Sequence, residues 1–276
     1  MITSKQFEKA RQFVFRHGRL LDQKRFSYHF GDASKEEVLQ ALVCYQNPDG
    51  GFGNGLELDI MCPHSSGICT EVGLSYLLEL GIAEGEAMDR VEHWAISEQR
   101  EDGSLPHPTQ ELEKYPHGDW WKGDDSIRVL SVAGLLGKIN RGSDDFFRRA
   151  SALFEKTPFP EEKEVGVYSY PLNLYLRYAR GAERFPGCLE SIKRRFPEML
   201  KEFEWHCPLF FSGFGWWSED IDESVWESEA RKAAGTLQED GGVAVPQYAH
   251  VPWWRPVWTL DMLVVMKERN LLDLQG

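Results

Sequence analysis

No run of about 18 apolar residues occurs in the 276-residue chain, so no stretch is long enough to cross a bilayer as a helix. Basic residues are in the minority, 31 Lys and Arg against 44 Asp and Glu, which leaves a formal charge of −13. Phosphate backbones and anionic membrane surfaces both call for basic patches, so neither nucleic acid nor a membrane surface is an expected partner. Cysteine is sparse and odd in number: Cys44, Cys62, Cys69, Cys188 and Cys207, with no Cys-x-x-Cys. That is not a disulfide framework, and it suggests a reducing cytoplasm. Residues 1–10 are charged and lack the apolar stretch of a signal peptide, and no Asn-x-Ser/Thr sequon occurs. Alternating Val/Ile/Thr runs bounded by Asn-Gly are missing, which argues against a β architecture. His-Glu-x-x-His, Gly-x-Ser-x-Gly and the phosphate-cradling Gly-x-x-x-x-Gly-Lys are absent too.

What is present is an ordinary globular composition, 42% hydrophobic and 27% charged, with an unusual share of aromatics: 10 Trp, 16 Phe and 9 Tyr. A chain of this length buries roughly 75% of its unfolded surface, so a core forms without staples. Three segments join a helical pattern to a Gln and then Asp-Gly: Gln46-Asn-Pro-Asp49-Gly50-Gly51-Phe52, Gln99-Arg-Glu-Asp102-Gly103-Ser104-Leu105 and Gln238-Glu-Asp240-Gly241-Gly242-Val243. Gln46 and Gln99 are 53 residues apart, and Gln46 and Gln238 are 192 apart, four periods of 48. Two degenerate copies fit between, near residues 147–177 and 189–217. A second apolar helical pattern follows each loop, over 69–81, 126–137 and 258–267. Residues 3–21 read as one more amphipathic helix, with Phe7, Ala10, Phe13, Val14 and Leu21 on one face. The expectation is an all-α single domain over residues 1–276, built of five to six helical hairpins that must stack to bury their faces. A period near 48 and about six units favour a closed ring. In the loops, Asp-Gly is turn chemistry and Gln can bond freed backbone groups, so these residues read as mortar between hairpins.

The Gln-x-x-Asp-Gly-Gly-aromatic unit resembles the repeat of the terpenoid cyclases and protein prenyltransferase β-subunits. The likeness is sharp at residues 46–53 and 238–242 and weaker at 99–105, where Ser104 replaces the second Gly. It extends to bacterial squalene-cyclase-like repeat proteins, through Gly53-Asn-Gly-Leu-Glu57-Leu-Asp59 and Tyr115-Pro-His117-Gly-Asp-Trp120-Trp121. The resemblance implies a single α/α toroid whose loops gather at one end around a cavity.

Four irregular segments are then expected to meet there: 55–64, 115–125, 214–222 and 247–255. They carry three Trp-Trp pairs, Trp120-Trp121, Trp216-Trp217 and Trp253-Trp254. Adjacent tryptophans on a helix cannot both face one core, so the pairs either line a pocket or plug the ring. Asp124 and Asp125, at the start of a helix, are candidate acids, with N-capping as the alternative. Glu57 and Asp59 are candidate catalytic or anchoring carboxylates. Trp120, Trp121, Trp216, Trp217, Trp253 and Trp254, with His64, His117 and Tyr248, are candidate ligand-binding residues. Asp220-Ile-Asp222-Glu223 is the nearest match to the cyclase Asp-x-Asp-Asp motif, but it precedes the wrong helix and reads as a helix N-terminal charge cluster.

Aromatic faces and carboxylates together suit an apolar isoprenoid ligand, bound or converted, as the resemblance implies. They equally suit a sugar-like ligand, or a protein-interaction module if the mouth is plugged. A pocket with many carboxylates and few aliphatics would favour the sugar. No cofactor and no metal are expected. Prenyltransferases bind zinc through Asp, Cys and His, and Asp59, Cys62, His64 and His117 or His250 offer those types, but the family's Asp-x-Cys spacing is missing.

Overall fold

The computed structural model describes residues 2–202, 217, 219–245 and 251–273. It is mostly helical, with twelve α-helices among the described residues and a single two-residue strand pair. No described helix is long and apolar enough to cross a membrane. The chain divides into two compact units. One is made from both ends, Met1–Ala41 with Leu200–Gly276, and the other is Leu42–Met199.

In the unit built from the chain ends, β1 (Ile2–Thr3) pairs in parallel with β2 (Leu272–Asp273), Ile2 opposite Leu272. Thr3 caps α1 (Ser4–His17) through a capping box: its hydroxyl accepts from the Gln6 N–H and its own N–H donates to Gln6 Oε1. The expected helix over 3–21 is two. The chain turns extended at Gly18, and Arg19 opens α2 (Leu20–Phe30) by donating its N–H to the buried carboxylate of Asp22 at 2.9 Å. Leu21 is still buried, on α2. α3 (Lys35–Val43) runs from this unit into the next.

The Leu42–Met199 unit holds α4 (Gly67–Glu79), α5 (Glu86–Ser97), α6 (Thr109–Leu112), α7 (Arg128–Lys138), α8 (Asp144–Lys156) and α9 (Tyr170–Tyr178). α10 (Pro186–Glu202) runs out of it, and α11 (Glu223–Gly235) and α12 (Trp254–Glu268) belong to the terminal unit. The helices are of two kinds. α5, α8 and α11 bury one stripe each, such as Trp226, Ala230 and Ala233, and expose the other face. α4, α7, α9 and α12 are buried nearly all round, α12 continuously from Pro256 to Met266. α7 packs between α4 and α9.

The three Asp-Gly loops share one architecture. Asp49, Asp102 and Asp240 each accept the N–H two residues on, at 3.0, 2.9 and 3.0 Å. Gly50, Gly103 and Gly241 follow with φ of +100°, +94° and +93°, and a Cβ on any of them would lie 2.3–2.6 Å from a main-chain atom of a helix. Those helix residues are Arg90 on α5, Arg149 on α8 and Lys9 on α1, respectively. Gln46 Nε2 donates to the carbonyls of Gly50 (2.9 Å) and Ala87 (3.0 Å), and Gln99 Nε2 to those of Gly103 (3.1 Å) and Phe146 (3.2 Å). The third loop is shifted by one residue from its sequence match. The Gln238 N–H donates to the Gly242 carbonyl as Asn47 does to Gly51 and Arg100 to Ser104, so Leu237 stands where Gln46 and Gln99 stand.

Candidate functional site

The first two irregular segments meet. Residues 59–61 and 116–118 pair as a short antiparallel bridge, with Met61 N–H donating to the Pro116 carbonyl (2.9 Å) and Gly118 N–H to the Asp59 carbonyl (2.8 Å). The pairing delivers Asp59 to the 3₁₀ turn Asp119–Lys122, where Trp121 Nε1 donates to Asp59 Oδ1 at 2.6 Å. His107 Nε2 donates to the Trp121 carbonyl at 2.6 Å and is a second tie to the same turn. The pair Trp120-Trp121 is split by this clamp: Trp121 is buried, and Trp120 is 47% exposed.

Beneath the turn, three buried helices contribute to one polar network. Glu71 on α4 is fully buried and accepts from Arg128 Nη1 (2.8 Å), from the Tyr170 hydroxyl (2.8 Å) and from Ser131 Oγ. Arg128, on α7, donates also to Asp125 (2.9 Å) and to the Tyr170 oxygen. Its guanidinium lies 6.0 Å from the Trp121 ring centre and 5.6 Å from that of Tyr170 on α9. Burial acts against the charge of Arg128, yet Tyr170, Glu71 and Asp125 outweigh it and hold the guanidinium protonated more firmly than usual. Burial, with Glu71 beside it, pushes the Tyr170 hydroxyl well above its ordinary value. Burial likewise raises the Cys69 thiol to about 12 and shifts Cys62 upward.

The remaining expected residues are placed as follows. Glu57 and Asp59 are both buried, in a run of turns rather than on one side of an extended strand. Asp125 is bound to Arg128. Asp124 is exposed and accepts the N–H (2.9 Å) and hydroxyl (2.8 Å) of Ser126. His117 is half-buried with Nδ1 2.7 Å from the Tyr115 carbonyl, and His64 is exposed. Trp217, Trp253 and Trp254 belong to the terminal unit: Trp217 is buried, Trp254 half-buried and Trp253 exposed. Trp216, Tyr248 and His250 lie outside the described residues. Asp222 caps α11, accepting the Ser224 N–H at 2.8 Å, and the Ser224 hydroxyl together with this N–H holds its carboxyl below the usual range.

Sequence reading missed Glu71, Arg128, Ser131 and Tyr170. Their signal was there: a charge inside an otherwise apolar helical pattern must find a partner once buried. Among the described residues Cys62, Cys69 and Cys188 are free thiols, and no three His, Cys, Asp or Glu are grouped to hold a metal ion. Compared with protein-family models, curated proteins and solved structures, the chain finds no match.

Proposed function

We propose that this protein binds a neutral, hydroxyl-rich ligand of the sugar class at the Trp120-Trp121 turn. The observation that carries the reading is the chemistry around that turn. An exposed indole, Trp120, sits next to one clamped by Asp59, His107 and Arg128, and the groups hydrogen-bonded around that clamp are carboxylates, Arg, Tyr and Ser. A rigid exposed aromatic face flanked by polar side chains suits a sugar ring, which stacks by its C–H face and hydrogen-bonds at its rim.

The isoprenoid reading asks for two things that this geometry supplies poorly. A carbocation needs open aromatic faces, and those of Trp121 and Tyr170 already hold the Arg128 guanidinium. A cyclase that protonates an alkene needs a proton-donating acid, whereas Asp124 and Asp125 act as acceptors toward Ser126 and Arg128. We further propose, from the repeated loop docking, that the hairpins form an α/α toroid and, from the free Cys62, Cys69 and Cys188 thiols, that it works in a reducing cytoplasm. The likeness to the cyclases then lies in the scaffold.

The test is titration calorimetry with neutral mono- and oligosaccharides beside farnesol and geranylgeraniol. Saccharide binding that is lost in Trp120→Ala is the expected result. Binding of the isoprenoid alcohols alone would overturn the reading and restore the cyclase-like one.

A further inference from the structure

The network around Glu71 continues inward along α4. Ser75 lies four residues on, one turn along the same face. It is 4% exposed, and its hydroxyl has no hydrogen-bond partner among the described residues. The opposite face of α4 is taken, since the Phe52 ring lies against Gly73. On α7, Ser131 follows Arg128 by three residues, and on α9 Asn173 follows Tyr170 by three; Ser131 and Asn173 are both buried. Three adjacent buried helices thus carry serine, asparagine and tyrosine groups where aliphatic packing is the rule. A buried hydroxyl left unpaired is costly, and a helical Ser usually avoids this by bonding the carbonyl four residues back. Ser75 does not.

We infer that Ser75 marks an inner subsite of the proposed sugar site, where a ligand hydroxyl enters beside Glu71 and hydrogen-bonds Ser75 Oγ. The inference rests on the sugar-binding reading. The charge balance narrows the ligand. Arg128 faces two carboxylates, Glu71 and Asp125; Glu57 acts on Tyr170 from nearby and Arg177 donates to Asn173 (3.0 Å), so three carboxylates face two guanidiniums and negative charge is in excess. A neutral sugar or polyol fits, and its phosphate ester or uronic acid is repelled.

The experiment compares wild type, Ser75→Ala and Trp120→Ala by calorimetry with neutral saccharides and with a sugar phosphate, and records the Tm of each ligand-free protein. Ser75→Ala is expected to weaken neutral-saccharide binding by about tenfold, the effect of one lost hydrogen bond, with a ligand-free Tm equal to wild type or higher. The sugar phosphate is expected not to bind. Unchanged affinity in Ser75→Ala together with loss in Trp120→Ala would overturn the subsite and leave the surface site standing. A ligand-free Tm lowered by several degrees in Ser75→Ala would show that the hydroxyl already has a partner, which also overturns the subsite. No saccharide binding by wild type would overturn both readings.

Discussion

Replacing Arg128 by Met would leave Glu71 and Asp125 facing each other without their shared cation, and Glu71 has no exposure to water. Breaking a buried ion pair from one side costs about 3–5 kcal/mol, because the surviving charge stays desolvated. Arg128→Met is therefore expected to lower the unfolding free energy by about that much in urea denaturation. A loss under about 1 kcal/mol would mean that water reaches the network and screens it. The alkaline limb of stability is set by buried thiols and phenols, chief among them Cys69 and Tyr170. Cys69, with an ordinary value of 9.0, is raised to about 12 by burial, and Tyr170 lies well above its ordinary 10.0. Each binds its proton more tightly when folded, so the stability it contributes is complete below the unfolded value and is lost as pH rises through the folded one. Unfolding free energy should hold up to about pH 9 and then fall, first through Cys69 and, above about pH 10, through Tyr170. Cys62 and Cys188 are also raised by burial and keep the onset near pH 9, so Cys69→Ala should make the fall above it shallower. An unchanged slope in that variant would show that the Cys69 thiol is not the group responsible.

The Asp-Gly loop is the element that repeats, and its energetics lie in backbone fit more than in side-chain chemistry. Gly103 combines a φ of +94° with a Cβ position 2.6 Å from the Arg149 carbonyl. Gly103→Ala must therefore strain the turn and push α8 away, and is expected to cost more than about 1 kcal/mol. Gln99→Leu removes two bonds to buried carbonyls, those of Gly103 and Phe146, for a loss of about 1–3 kcal/mol. Thermal unfolding of both variants checks this, and a neutral Gln99→Leu would reduce the side chain to a spacer. These loops were legible in the sequence because turn chemistry is local: Asp49, Gly50 and their counterparts act within four residues. The register of the third was not, since Gln238 matches by letter while the main-chain bonding puts Leu237 in its place. The break at Gly18 escaped a face-counting argument for a similar reason, because the capping carboxylate of Asp22 competes with helical periodicity. At the site, Asp59, Asp125 and Trp121 were found from the composition of local segments. Glu71 was not, because its partners Arg128 and Tyr170 are 57 and 99 residues away, and only packing of α4, α7 and α9 brings them together.

At the scale of the whole chain, the two ends pair with each other. In the Leu42–Met199 unit, each Asp-Gly loop docks on the amphipathic helix that follows it, Gly50 on α5 and Gly103 on α8. In the terminal unit, the last loop docks on the first helix. Gly241 abuts Lys9, Gly242 abuts Phe13, and Lys9 Nζ donates to the Glu239 carbonyl at 3.2 Å. Arg255 adds a paired contact to Asp240 at 2.7 Å and stacks on Phe13. The first helix thus takes the role of the next amphipathic helix after the last loop, as though the repeat order were circular. The parallel pairing of Ile2 with Leu272 and the packing of α1 on α12 bring the two ends of the chain side by side. A sequence whose order is circular should tolerate being opened elsewhere. Joining residues 276 and 1 through a short Gly/Ser linker and opening the chain between Gly81 and Gly85, in the connection from α4 to α5, is expected to give a protein with the wild-type circular dichroism spectrum and a Tm within a few degrees. Deleting residues 1–18 should instead strip the surface on which Gly241, Gly242 and Arg255 rest, and unfold the terminal unit. A permutant that fails to fold while the truncated chain stays folded would show that α1 is an appendage, and the toroid proposal would fall with it.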